Sequence, residues 1–127
     1  MTPASYIGRF APSPTGPLHF GSVIAALASY LDARANNGQW HLRIDDLDSG
    51  RARNEFISGI PDMLEALSLQ WDGPIQYQDV HRDRYEAVLE QLKTAGYAYP
   101  CACSRKALIN TAVRGPAGLI YPGTCRK

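Results

Sequence analysis

The chain has 127 residues, enough for one domain of ordinary size. Its 13 Lys and Arg nearly balance 12 Asp and Glu, so a net charge of +1 gives no sign of a chain-wide basic surface for nucleic acid and leaves any RNA contact local. No stretch approaches the ~20 apolar residues of a membrane span, residues 1–5 lack a signal-peptide pattern, and three cysteines argue against a disulfide framework and for a cytoplasmic protein with reduced thiols.

In chain order, residues 6–10 read as a buried strand. A turn dense in Pro, Ser, Thr and Gly follows, and then His19-Phe20-Gly21-Ser22 at a helix start. Residues 21–36 predict a helix with Ile24, Leu27, Ala28 and Leu31 on one face and Asn36-Asn37-Gly38 as its C-cap. Residues 40–44 predict a strand, followed by the acidic run Asp45-Asp46-Leu47-Asp48 and a turn at Ser49-Gly50-Arg51. Residues 54–67 predict a second helix, broken or started late by Pro61. Residues 69–77 predict irregular structure or a short strand, with a turn at Asp72-Gly73-Pro74. Residues 82–94 predict a third helix with Tyr85, Val88, Leu89 and Leu92 inward, capped by Gly96. Residues 97–99 predict a short strand, Ser104 predicts the N-cap of a brief helix through Ala112, and the Gly- and Pro-rich remainder predicts loop. Alternating strands and helices favour an α/β fold with a doubly wound parallel sheet.

Four groups of residues carry chemistry. A strand, a tight polar turn and a helix start present backbone N–H groups to a phosphate. His19 there can donate to phosphate oxygens, and Gly21 lets a base or ribose approach the backbone; a lone His at a helix start is more often structural. Arg9 ends a strand read as buried and needs a partner. That partner is a carboxylate ligand held bidentately, or one of Asp45, Asp46 and Asp48. The acidic run follows a strand, where open α/β sheets bind ligands, yet read alone it is better taken as a solvated turn. Cys101, Cys103 and Cys125 are one ligand short of the four that zinc takes, and Cys101 and Cys103 are too close in sequence for an ordinary disulfide. His41 and His81 join no ligand cluster, and Trp40 and Trp71 read as core or cleft wall.

The run Arg9-Phe10-Ala11-Pro12-Ser13-Pro14-Thr15-Gly16, continued by Leu18-His19-Phe20-Gly21, resembles the signature of class I aminoacyl-tRNA synthetases of the glutamyl type. Its continuation, Ser22-Val23-Ile24-Ala25-Ala26, is similar to the glutamyl-queuosine tRNA(Asp) synthetase subfamily rather than to ordinary glutamyl-tRNA synthetases, which usually continue Gly-Gly-Ala-Arg-Thr. Arg43-Ile44-Asp45-Asp46-Leu47-Asp48-x-x-Arg51 resembles the family's Arg-Ile-Glu-Asp-x-Asp-x-x-Arg, with Asp45 one methylene shorter than the usual Glu. Cys101-x-Cys103 and Tyr121-x-x-x-Cys125 resemble the subfamily's zinc ligands, with a tyrosine oxygen as the fourth.

The resemblance implies a Rossmann-like catalytic domain, with its N-terminal part in residues 1–96 and a small zinc-binding subdomain in 97–127. It implies ligase activity in which His19 and Gly21 are catalytic and Pro12, His19, Gly21 and Ser22 bind ATP, with Mg2+. L-glutamate falls to Arg9, Phe10, Ala11, Pro12, Ser13 and Asp45, and a structural Zn2+ to Cys101, Cys103, Tyr121 and Cys125. The implied partner is the queuosine-bearing anticodon stem-loop of tRNA(Asp), with no membrane, and Arg105, Lys106, Arg114, Arg126 and Lys127 either touch that tRNA or form a solvated face. Family members are well over twice as long. The resemblance therefore implies an N-terminal portion, without the later glutamate-binding Tyr and Arg or the Lys-Met-Ser-Lys-Ser-type loop, and no adenylate formation by these 127 residues alone.

Overall fold

A computed structural model describes residues 6–126; the pattern read at residues 1–5 and the cation Lys127 lie outside the described residues. They divide into two compact units, 6–82 and 83–126.

The first unit begins with β1 (Ile7–Phe10), α1 (Phe20–Ala35) and β2 (Gln39–Ile44), then α2 (Asn54–Ala66) and β3 (Gln76–Tyr77). β1 pairs parallel with β2 from Ile7↔Gln39 to Phe10↔Leu42, and β2 pairs parallel with β3 through Arg43↔Gln76 and Ile44↔Tyr77. The sheet order is therefore β1-β2-β3. Parallel neighbours need crossovers, which α1 and α2 supply. Alternation along the strands buries Gly8, Phe10, Trp40, Leu42 and Ile44 and leaves Ile7, Arg9 and Gln39 exposed. β1 is thus buried on one face only, which corrects the expectation of a fully buried strand. No layer among the described residues covers Ile7 and Arg9.

Trp40 centres the core. Its ring stacks on Phe10 at 6.2 Å and meets Tyr30 edge-on at 5.2 Å, and its indole N–H donates to Ser29 Oγ at 2.9 Å. Ile60 and Leu64 of α2 complete the buried set with Ala26, Ala33 and Leu69. α1 packs through its small residues: a Cβ on Gly8 would lie 3.2 Å from Ala33 Cβ, so that glycine sets the approach of helix to strand. The larger stripe of Ile24, Leu27 and Leu31 is exposed instead. Pro61 sits inside an unbroken α2, contrary to the expected break or late start. It forfeits one intrahelical bond, while the buried Ile60 and Leu64 hold the helix in place. Asn37, at φ +49°, ends α1 as the Asn-Asn-Gly sequence suggests.

The second unit contains α3 (Arg82–Thr94), α4 (Arg105–Thr111), β4 (Val113–Gly115) and β5 (Gly118–Ile120). Ser104 caps α4 through Ala107 N–H at 3.2 Å. Three expectations are corrected here. Tyr85, Val88, Leu89 and Leu92 of α3 are exposed, because helical spacing defines a stripe without saying what covers it. Residues 97–99 form no strand, having no neighbour to pair with. The Gly- and Pro-rich stretch is not all loop: β4 and β5 pair antiparallel from Val113↔Ile120 to Gly115↔Gly118 around a tight turn. Among the described residues, no helix is long and apolar enough to cross a membrane.

Candidate nucleotide cleft and cysteine cluster

The loop from β1 to α1 is a run of bends closed by Thr15 N–H on Ser13 C=O at 2.9 Å. It ends at His19, the N-cap of α1, whose Nδ1 accepts from Ser22 N–H at 3.2 Å. Because Nδ1 accepts, the proton of the neutral ring sits on Nε2, which lies 3.2 Å from Ser22 Oγ. An exposed N–H donor therefore stands at the positive end of a helix dipole, and the first turn of that helix carries no acidic residue. Gly21 makes room for this ring: a Cβ there would lie 3.1 Å from His19 Cε1. Phe10, Pro12, Ser13, His19, Gly21 and Ser22 are among the residues lining a cleft of about 540 Å³. The structure thus gathers the sequence-predicted ATP residues, together with Phe10, Ala11 and Ser13.

Asp45 N–H donates to Pro12 C=O at 2.9 Å, and Arg53 N–H to Pro14 C=O at 3.1 Å. The loop is thereby fastened to the end of β2 and the start of α2. Asp45 itself is gripped by Arg43, with Nε–Oδ1 at 2.6 Å and Nη2–Oδ2 at 3.0 Å, in a half-buried pair. Asp46 accepts from Asp79 N–H at 2.9 Å. Asp48 pairs with Arg51 at 2.6 Å, and that hydrogen bond holds its carboxyl below the usual range. The acidic run is a tied corner, not a freely solvated turn.

The Arg9 side chain is exposed and makes no ion pair or hydrogen bond among the described residues, so the alternative pairing with Asp45, Asp46 or Asp48 is not formed. It lines a separate hollow of about 500 Å³ with Tyr6, Asp32, His41 and Gln76. Arg9 and Ser13 are not brought into one cleft. The residue that sequence reasoning left without a role is Arg43; its position two residues before Asp45 on a strand end was the available signal.

In the second unit, the Cys101, Cys103 and Cys125 sulfurs lie within 4.8 Å of one another, with Cys103 and Cys125 at 3.5 Å. The Tyr121 hydroxyl accepts from Cys125 N–H at 2.7 Å and lies 3.6 Å and 3.9 Å from the Cys101 and Cys103 sulfurs. A tetrahedral zinc with Zn–S of ~2.3 Å sets sulfurs ~3.8 Å apart and an oxygen ligand ~3.5 Å from each sulfur. The Cys103–Cys125 sulfurs and the Tyr121 oxygen's distances to Cys101 and Cys103 are compatible with that spacing, and all three sulfurs lie within 4.8 Å of one another. Hydrogen bonding to the Tyr121 hydroxyl pulls the Cys125 thiol down to about 7, and the Cys125 sulfur in turn pushes the Tyr121 and Cys103 groups up. With no cation bound, Tyr121 keeps its proton; a metal taking the oxygen would have to displace it.

A parallel βαβ unit with a histidine-capped loop over a cleft, followed by a tied acidic strand end, places the chain in a family. The profile described as "tRNA synthetases class I (E and Q), catalytic domain" matches residues 7–114, and the chain belongs to that family. Among curated relatives it is 49% identical over 126 residues to "Glutamyl-Q tRNA(Asp) synthetase" of Thiobacillus denitrificans, covering 99% of this chain and 42% of that protein. It is 51% identical over 121 residues to the protein of the same name from Neisseria meningitidis serogroup C, covering 95% and 41%. Among solved structures, glutamate-tRNA synthetase from Elizabethkingia anophelis aligns with TM-score 0.71 and 37% identity over 84% of this chain and 23% of that one. A glutamate tRNA ligase from Elizabethkingia meningosepticum, in complex with its amino acid, aligns with TM-score 0.68 and 38% identity over 82% and 22%. The chain spans about two fifths of the length of the curated relatives.

Proposed function

We propose that the chain is the N-terminal part of a ligase that activates L-glutamate with ATP and Mg2+ and transfers it to the queuosine of the tRNA(Asp) anticodon stem-loop. The observation that carries this reading is the His19 cleft, with Asp45 fastened to its Pro12 lip. In the reaction, a glutamate carboxylate oxygen attacks the α-phosphorus, a P–O bond forms, and the bond to the bridging oxygen breaks to release pyrophosphate. Such chemistry asks for positioning and charge stabilisation rather than covalent help from the protein.

His19 Nε2–H and the α1 N-terminus meet phosphate oxygens, Gly21 and Ser22 flank them, and Pro12 walls the nucleotide. Arg9, whose side chain has no partner among the described residues, is available to a glutamate carboxylate. Asp45, oriented by Arg43, receives the amino group, and Phe10, Ala11 and Ser13 line the approach. Its shorter side chain is supported here by the bidentate grip of Arg43. Cys101, Cys103, Tyr121 and Cys125 would hold a structural Zn2+ that supplies no chemistry beyond fastening residues 97–127 as a subdomain. In a doubly wound, Rossmann-like sheet, helices packed on the second face would cover the open face of β1. Reduced thiols fit a cytoplasmic protein.

The names of the solved neighbours favour a second reading, an ordinary glutamyl-tRNA synthetase. Glutamate-dependent ATP–pyrophosphate exchange, measured on this chain joined to the remaining length its relatives carry, separates the two. Exchange without tRNA supports the proposal, exchange only with tRNA supports the second reading, and no exchange under either condition overturns both. The 127 residues alone are expected to give no exchange.

A further inference from the structure

The cysteine cluster has a second chemistry, one that needs no metal. Cys103 stands immediately before the Ser104 cap of α4, and Cys125 follows β5. The two sulfurs therefore close a span of 22 residues that holds α4 and the β4–β5 hairpin. They lie 3.5 Å apart. Sulfurs in a disulfide sit at about 2.05 Å, so bonding asks for roughly 1.5 Å of travel shared between two side chains. Both residues are half-exposed, and a small oxidant can reach them. The Tyr121 hydroxyl accepts from Cys125 N–H at 2.7 Å and so holds the residue that carries one sulfur, with or without a cation. None of residues 83–126 is buried, so no apolar core fixes α4 and the hairpin, and a covalent link across them has the more to add.

We propose that Cys103 and Cys125 form a reversible disulfide on exposure to a peroxide, and that this bond staples the same span that a bound metal would. One thiol sulfur attacks a peroxide oxygen, the O–O bond breaks, and a sulfenic acid forms as a first water leaves. The other sulfur attacks the sulfenic sulfur; the S–S bond forms, the S–O bond breaks and a second water leaves. The two thiols give up two protons and two electrons, and the peroxide takes both. Cys101 and Cys103 are too close in sequence to pair, so the exposed Cys101 keeps its thiol. Neither linked sulfur can ligate as a thiolate, and Cys101 with Tyr121 supplies only two of the four ligands zinc takes. Oxidation therefore expels a bound zinc, and zinc shields the thiols. The disulfide itself goes beyond the zinc reading and stands without it; only the competition with zinc rests on that reading.

The test treats the intact chain, reduced and stripped with a chelator, with dilute hydrogen peroxide. Its mass should fall by two hydrogens, and alkylation should then find one thiol of the original three, placed at Cys101 by fragmentation. Dithiothreitol should restore all three. Cys101→Ser should still cross-link, and Cys103→Ser should do so roughly tenfold more slowly or not at all; where a variant misfolds, the mapping of the wild-type chain decides. By circular dichroism, the oxidised chain in chelator should keep the helix and strand signal of the second unit that the reduced chain in chelator loses. In the zinc-loaded chain, a chromogenic indicator should register metal release in step with thiol loss, more slowly than the stripped chain oxidises. Oxygen added to Cys103 or Cys125 without an S–S bond, or a bond made through Cys101, would overturn the proposal. So would an oxidised chain that unfolds in chelator as the reduced one does. If the stripped chain cross-links as expected but the untreated chain never takes up zinc, the disulfide is upheld and the zinc reading falls.

Discussion

At Gly21 two demands meet. The sequence suggests a glycine that lets a nucleotide approach the backbone, whereas the geometry also shows one that makes room for the His19 ring, since an added Cβ would sit 3.1 Å from it. These demands separate experimentally. Gly21→Ala places a better helix former near the start of α1, worth up to about 1 kcal/mol, while pushing the ring that donates to phosphate. The expected outcome is a thermal midpoint unchanged or raised and an ATP affinity lowered at least several-fold, read by calorimetry and differential scanning; equal affinity would show that the ring position is immaterial. The roles of Arg9 and Asp45 were legible only in part. The motif named both, and the i,i+2 spacing of Arg43 and Asp45 at a strand end was there to be read, but the bidentate grip between them was not.

Between elements, the joint that most resists sequence reading is Asp72. It sits in a predicted turn, yet its carboxylate accepts from Trp40 N–H and from Arg34 Nη1, both at 2.7 Å, and so ties the end of α1 to the start of β2. The Trp40 N–H, and then Arg34, hold its carboxyl below the ordinary range. A depressed folded value means that the group stabilises fully above the unfolded value of about 3.9 and that this contribution is lost as pH falls through the folded one. Urea midpoints measured from about pH 7 down to about pH 3 should therefore fall less steeply for Asp72→Asn than for the wild type, from a lower starting midpoint. Parallel profiles would remove Asp72 from the acid response. Element existence was readable from periodicity and caps: α1, α2, α3, α4 and β2 stand close to where the spacing puts them. Facing was not, because the stripes on α1 and α3 record what an apolar face prefers and not what lies against it. The β4–β5 hairpin escaped because strands of three residues are shorter than any period test can resolve.

Over the whole molecule, the two units carry different physics. The first has a core of Trp40, Leu42, Ile44, Ile60 and Leu64; in the second, no apolar side chain among the described residues is fully buried. On the proposed zinc reading, stability there would fall to the cysteine cluster, as in small domains that fold around a metal. About one equivalent of zinc should copurify, and a chelator should melt the second unit's α4 and hairpin while sparing the parallel sheet. Tyr121→Phe should keep the three sulfurs but weaken zinc retention, measured by competition with a chromogenic chelator; unchanged retention would make Tyr121 a hydrogen-bond partner rather than a ligand.

We propose the loop before α1 as a nucleotide phosphate site with His19 as its donor. Asparagine at position 19 can still cap α1, so His19→Asn removes the imidazole without removing the helix start. Calorimetric titration of ATP into the wild-type and His19→Asn chains measures the contribution of that donor. The expected result is saturable binding to the wild type and at least a tenfold loss in the variant, about 1.4 kcal/mol, at unchanged thermal stability; equal affinity in both chains would rule His19 out as the phosphate donor.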